Sequence, residues 1–77
     1  MKDKILRILT EIRPEFDFSK SSNFIKEGLL DSFDVFSLVN SLDEEFSISI
    51  DGIDILAENF SSIEKITALL LKNGVKS

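Results

Sequence analysis

The chain has 77 residues, 43% of them hydrophobic and 30% charged, which describes one small globular domain and not a disordered tail. It contains no Cys and no His, which removes thiol and imidazole catalysis, disulfides and the usual zinc ligands. Fourteen acids against nine bases leave a net charge of −5, a balance that disfavours nucleic acid and anionic membranes and favours basic protein surfaces.

The first element is read from Ile5, Ile8, Leu9 and Ile12, whose spacing predicts an amphipathic helix over 3–13. Pro14 closes it, because the residue before a proline is biased away from helical geometry. A long connection over 14–31 follows. Phe16, Phe18, Phe24 and Ile25 recur in it, so it is expected to pack over the core, with "SKSSN" (19–23) as its polar middle.

A second helix is predicted from Asp31 or Ser32 to about Phe46. At about 100° per residue, Val35, Leu38, Val39, Leu42 and Phe46 share its core face. Phe33, Ser37, Asn40 and Glu44 fall on the other side, and Phe36 lies between, read as a partly buried packing residue. "SISI" (47–50) alternates like a strand but is too short to imply a sheet. Asp51-Gly52 reads as a turn, and "IDILAENF" (53–60) as a brief helix or helical turn. Ser61 and Glu64 form an S-x-x-E capping box ahead of Ile63, Ile66, Leu69 and Leu70, and Asn73-Gly74 ends that last helix. The expected fold is all-α: a small four-helix bundle of three main helices and one short one, with a long first loop, as a single domain spanning 1–77.

Charge is unevenly placed along this scheme. Ten acids lie between Glu27 and Glu64 with no base among them, and every Lys and Arg sits outside, Lys26 and Lys65 being the flanking pair. No apolar run reaches the roughly 18–20 residues of a membrane span. The N-terminal stretch has no signal-peptide core, so a cytoplasmic location is expected. A calcium loop at Asp51-Gly52-Ile53-Asp54 is a poor reading, because an EF-hand wants alternating carboxylates and a distal glutamate.

The junction at Asp31-Ser32 admits two roles for the serine. It can be the N-cap of the second helix, or Asp31 can cap and leave the Ser32 hydroxyl free. Here "GLLDSFDVFSLVNSLDEEFSISI" (28–50) resembles the attachment region of acyl carrier proteins, in which a D-S-[LIMF] motif opens the second helix. The resemblance extends over most of the chain. It implies an acyl-carrier-protein-like fold, a non-catalytic carrier domain, and 4′-phosphopantetheine joined to Ser32 by a phosphodiester, with Asp31 as the cap beside it. It also implies that Phe33, the residue after the serine, contacts partner enzymes and the arm, and a docking face of Phe33, Ser37 and Asn40, edged by Asp34, Glu44 and Glu45, is expected from their placement on the helix.

The expected partners are a phosphopantetheinyl transferase, an acyl- or aminoacyl-loading ligase, and synthases or transferases with basic docking surfaces. The carrier itself is expected to be a monomer without nucleic-acid or membrane partners. Fatty-acid carriers often place a glutamate where Ser37 stands and Met-Ala where Asn40-Ser41 stand, so a carrier of a specialised pathway fits the resemblance equally. "EGLLDSF" is also similar to D-alanyl carrier proteins of cell-wall teichoic acid modification, but "LAENFSSIEKI" lacks the tryptophan-asparagine of that group. The competing class is an unmodified acidic helical adaptor that keeps Ser32 as a cap.

Overall fold

Helix α1 (Lys2–Ile12) buries Ile5, Ile8 and Leu9, the three positions that its spacing brings to one side. Its end is set by Arg13, whose φ of −135° and ψ of 80° leave the helical region ahead of Pro14 while its N–H still donates to Leu9 O. The computed structural model describes residues 1–76, so the last residue of the 1–77 domain lies outside it.

The long connection is fastened at several points. Phe18 and Phe24 are both buried and meet edge to face at 5.1 Å, an arrangement worth about 0.5–1.5 kcal/mol beyond area burial. Phe24 N–H donates to Ser61 O at 2.6 Å, and Phe24 O accepts from Leu29 N at 2.8 Å. The loop is therefore tied to the start of the last helix. Gly28 supplies a φ of +78° in the turn that returns the chain to Leu30, which is buried.

Helix α2 (Ser32–Phe46) carries Val35, Leu38, Val39 and Leu42 into the core, and Phe46 packs half-buried at its edge. Ser47 ends it in the left-handed region at φ 54° and ψ 48°. Asp43 then recovers the chain: its carbonyl accepts from Ile48 N and its Oδ1 from Ile50 N, both at 3.1 Å. That return buries Ile50. The alternation in 47–50 thus reflects a helix-terminating turn, and no strand occurs among the described residues.

The segment over 53–60, expected as a brief helix or helical turn, takes the second form: two 3-10 turns, Gly52–Asp54 and Ala57–Phe60, separated by an extended Leu56. Asn59 Nδ2 donates to Asp54 O at 2.8 Å and bridges the two. Phe60 is fully buried while Ile53 and Leu56 are exposed, so the segment has one anchor and no continuous apolar stripe.

Helix α3 (Ile63–Lys72) follows, burying Ile66, Leu69 and Leu70. Its cap corrects the sequence reading. Ser62, not Ser61, accepts from the N–H three residues on, that of Lys65, at 3.1 Å. Ser61 is buried and its hydroxyl donates to Glu58 O at 2.7 Å, closing the preceding turn. The S-x-x-E pair Ser61–Glu64 therefore forms no box. Gly74, at φ +91°, follows the Asn73 cap.

The described chain is all-α, with one core shared by the three helices and the loop phenylalanines. Its radius of gyration is 11.2 Å, close to the value of about 11–12 Å for one folded domain of this length. No described helix is long and apolar enough to cross a membrane.

Candidate functional site at the start of helix α2

Asp31 is the N-cap of α2. Its Oδ1 accepts from Asp34 N at 2.9 Å, and Asp34 Oδ2 accepts from Asp31 N at 3.1 Å. Two orphan donors of the first turn are satisfied reciprocally, with aspartates in both places of the capping box. Ser32 is then the first helical residue, exposed, with the capping role already filled by its neighbour.

Arg13 completes this arrangement from the end of α1. Its Nε donates to Asp34 Oδ2 at 2.9 Å, its Nη2 lies 3.5 Å from Asp31 Oδ2, and its Nη1 lies 3.5 Å from Glu15. The hydrogen bond to Asp34 raises the Arg13 pKa further above its ordinary value. The Asp31 carboxyl is held below the usual aspartate range, chiefly by the Asp34 N–H, with smaller contributions from Phe33 N–H and Arg13 acting against partial desolvation. Nothing in the sequence singled out Arg13. The available signal was two aspartates three residues apart at a helix start, which call for a counter-charge.

The docking residues expected from sequence divide in two. Phe33, at 79% exposure, Ser37, Asn40 and Glu44 are all exposed on the outer face of α2. Phe36 joins them at 61% exposure, which corrects its reading as a packing residue. Asp34 and Glu45 do not belong to that face. Asp34 is only 8% exposed, because it sits one turn before Leu38 on the core side and serves the cap. Glu45 is half-buried against α1, where Arg7 Nη2 donates to its Oε1 and Lys4 Nζ lies 3.8 Å from its Oε2. Glu44 remains outside, lining with Arg7, Glu11 and Ser41 a polar groove of about 380 Å³ between α1 and α2.

The acidic middle of the sequence is thus partly neutralised in the fold. Bases from the two ends return to it: Arg13 on Asp31 and Asp34, Arg7 and Lys4 on Glu45, and Lys72 on Asp54 at 2.8 Å. Asp51 Oδ1 accepts from Ile53 N. The two aspartates of the 51–54 turn are therefore engaged in a cap and an ion pair.

Chemically, the start of α2 offers an exposed primary hydroxyl at a helix N-terminus, where partial positive charge favours an attached anion. The chain supplies no His or Cys to activate that hydroxyl. In comparisons with known proteins, no family model, no curated protein and no solved structure matches the chain.

Proposed function

We propose that the chain is an acyl carrier protein, a non-catalytic shuttle whose Ser32 is modified by a separate enzyme with 4′-phosphopantetheine. One observation carries this reading: Ser32 is exposed in the first turn of α2 while Asp31 performs the capping that would otherwise occupy it. The D-S-F motif at that turn and the absence of Cys and His from the chain agree with it. So does the all-α fold, with its long connection between α1 and α2.

The site suits the group in chemical terms. A phosphodiester on Ser32 would stand at the positive end of the α2 dipole, beside carboxylates already paired with the Arg13 guanidinium. In the attachment step the Ser32 hydroxyl oxygen bonds to the pantetheine-side phosphorus of coenzyme A, the diphosphate P–O bond breaks with adenosine 3′,5′-bisphosphate as the leaving group, and the hydroxyl proton passes to the transferase. Once bound, the arm supplies the thiol that the chain lacks and holds an acyl or aminoacyl cargo as a thioester. Phe33, Phe36, Ser37, Asn40 and Glu44 form the face offered to partner enzymes. The cytoplasm is the setting where such partners and coenzyme A are found.

The test is intact mass spectrometry after incubation with coenzyme A, magnesium and a promiscuous phosphopantetheinyl transferase, with Ser32→Ala in parallel. A gain of one phosphopantetheinyl group on the native chain alone is expected. No gain with several transferases on a folded sample would leave the acidic adaptor as the better reading.

A further inference from the structure

We infer that Arg13 is a positioning residue for arm attachment: it joins the end of α1 to the Asp31–Asp34 box and so fixes the turn that presents Ser32. This rests on the reading of Ser32 as the attachment site, and goes beyond it by naming what holds that serine in place.

The geometry is specific. Asp34 Oδ2 is shared, accepting from Asp31 N at 3.1 Å and from Arg13 Nε at 2.9 Å. The same guanidinium faces Asp31 Oδ2 at 3.5 Å. A single cation therefore touches both halves of the capping box. Its backbone is held as well, since Arg13 N–H donates to Leu9 O at 2.9 Å and Pro14 follows. The lever between the α1 core and the first turn of α2 is thus one side chain long.

Electrostatics call for this cation. Asp34 is largely buried and stands one helical turn from Asp31, so two carboxylates share the helix start. Burying a carboxylate is costly unless it is paired, and Arg13 supplies the pairing charge at 2.9 Å. The charged groups identified around the pair are Arg13 from the end of α1 and Glu15 from the segment after it, and Arg13 is the cation among them. Attachment of a phosphodiester to Ser32 adds a third negative charge to this turn, and Arg13 already stands beside the other two.

The consequence is that Arg13 governs how readily Ser32 reaches the transferase's reacting atoms and leaves docking on the outer face of α2 alone. Small misplacements of a reacting group lower turnover by about tenfold to a hundredfold. The experiment compares the native chain, Arg13→Gln, Asp34→Asn and the double variant. It reads kcat and KM for arm transfer by intact mass, melting by circular dichroism, and the amide resonances of Ser32 to Val35.

Arg13→Gln is expected to lower kcat by about tenfold or more with KM little changed. It is also expected to shift the Ser32 and Phe33 amides. The double variant is expected to be no slower than Asp34→Asn, because Arg13 acts through that carboxylate. Should Arg13→Gln melt too low to assay, Arg13→Lys, which keeps the charge but not the fork, is expected to show an intermediate kcat.

An unchanged kcat, a loss confined to KM, or fully additive effects in the double variant overturns the role of Arg13 while leaving the carrier reading intact. A native chain that takes no arm overturns the carrier reading, and this role with it.

Discussion

Helices α2 and α3 begin with similar ingredients and use them oppositely. Each start has a serine within reach of the first turn and an acid nearby: Asp31, Ser32 and Asp34 at α2, and Ser61, Ser62 and Glu64 at α3. At α3 the serine hydroxyls are engaged, Ser62 in accepting the Lys65 N–H and Ser61 in donating to Glu58 O. At α2 a pair of aspartates does the capping, backed by Arg13, and the serine is left on the surface. The comparison teaches that a serine becomes chemically available when a better acceptor beside it takes the orphan amides. Identity and spacing alone do not tell the two cases apart.

The largest effect should come from removing the carboxylate at the centre of the α2 arrangement. Asp34→Ala deprives Asp31 N–H and Arg13 Nε of their shared acceptor, and is expected to cost about 1.5–3 kcal/mol in urea denaturation. A loss below about 0.5 kcal/mol, the range of ordinary surface changes, would mean that the box does not set the start of α2.

A smaller and more pointed contrast is between the two serines themselves. Ser62→Ala removes a cap and is expected to cost about 1 kcal/mol. Ser32→Ala removes an exposed hydroxyl that caps nothing, and is expected to stay within about 0.5 kcal/mol of the native chain. Equal losses would erase the distinction between the two helix starts.

The smallest effect is in pH. The α2 cap is titratable and the Ser62 cap is not. Because the Asp31 pKa is lowered in the folded chain, its contribution is fully present above the unfolded value of about 3.9 and fades as pH falls through the folded one. In an NMR titration the Asp34 amide is expected to hold its neutral-pH shift down to about pH 4 and to move below it. The Lys65 amide, bonded to the Ser62 hydroxyl, is expected to move less over the same window. An Asp34 amide that titrates at higher pH would count against the lowered Asp31.

Much of the fold was legible because the relevant signals are short-ranged. Ile5, Ile8 and Leu9, then Val35, Leu38, Val39 and Leu42, then Ile66, Leu69 and Leu70 all occupy the core faces that their spacing assigns. Pro14 and Gly74 stand just beyond helix ends as their backbone preferences require. The 53–60 segment left helix and helical turn undecided, and it stays at 3-10 turns because only Phe60 is fully buried, with Ile55 partly so, while Ile53 and Leu56 are exposed. The α3 cap slipped by one residue because Ser61 was already engaged with Glu58 and its carbonyl with Phe24 N–H. No local pattern reports that second contact.

The sequence by itself therefore determined the all-α class, the inward face of each helix and the placing of Ser32 at a helix start. Each of these depends on apolar periodicity or on cap chemistry acting over a few residues. Tertiary structure alone decided which charges meet. Arg13 reaches Asp34 across a separation of 21 residues and Arg7 reaches Glu45 across 38. Those pairings neutralise two expected docking acids and supply the first turn of α2 with its counter-ion. The physical reason is that an ion pair depends on where two helices come to rest against a common core, and that is a property of the packed chain.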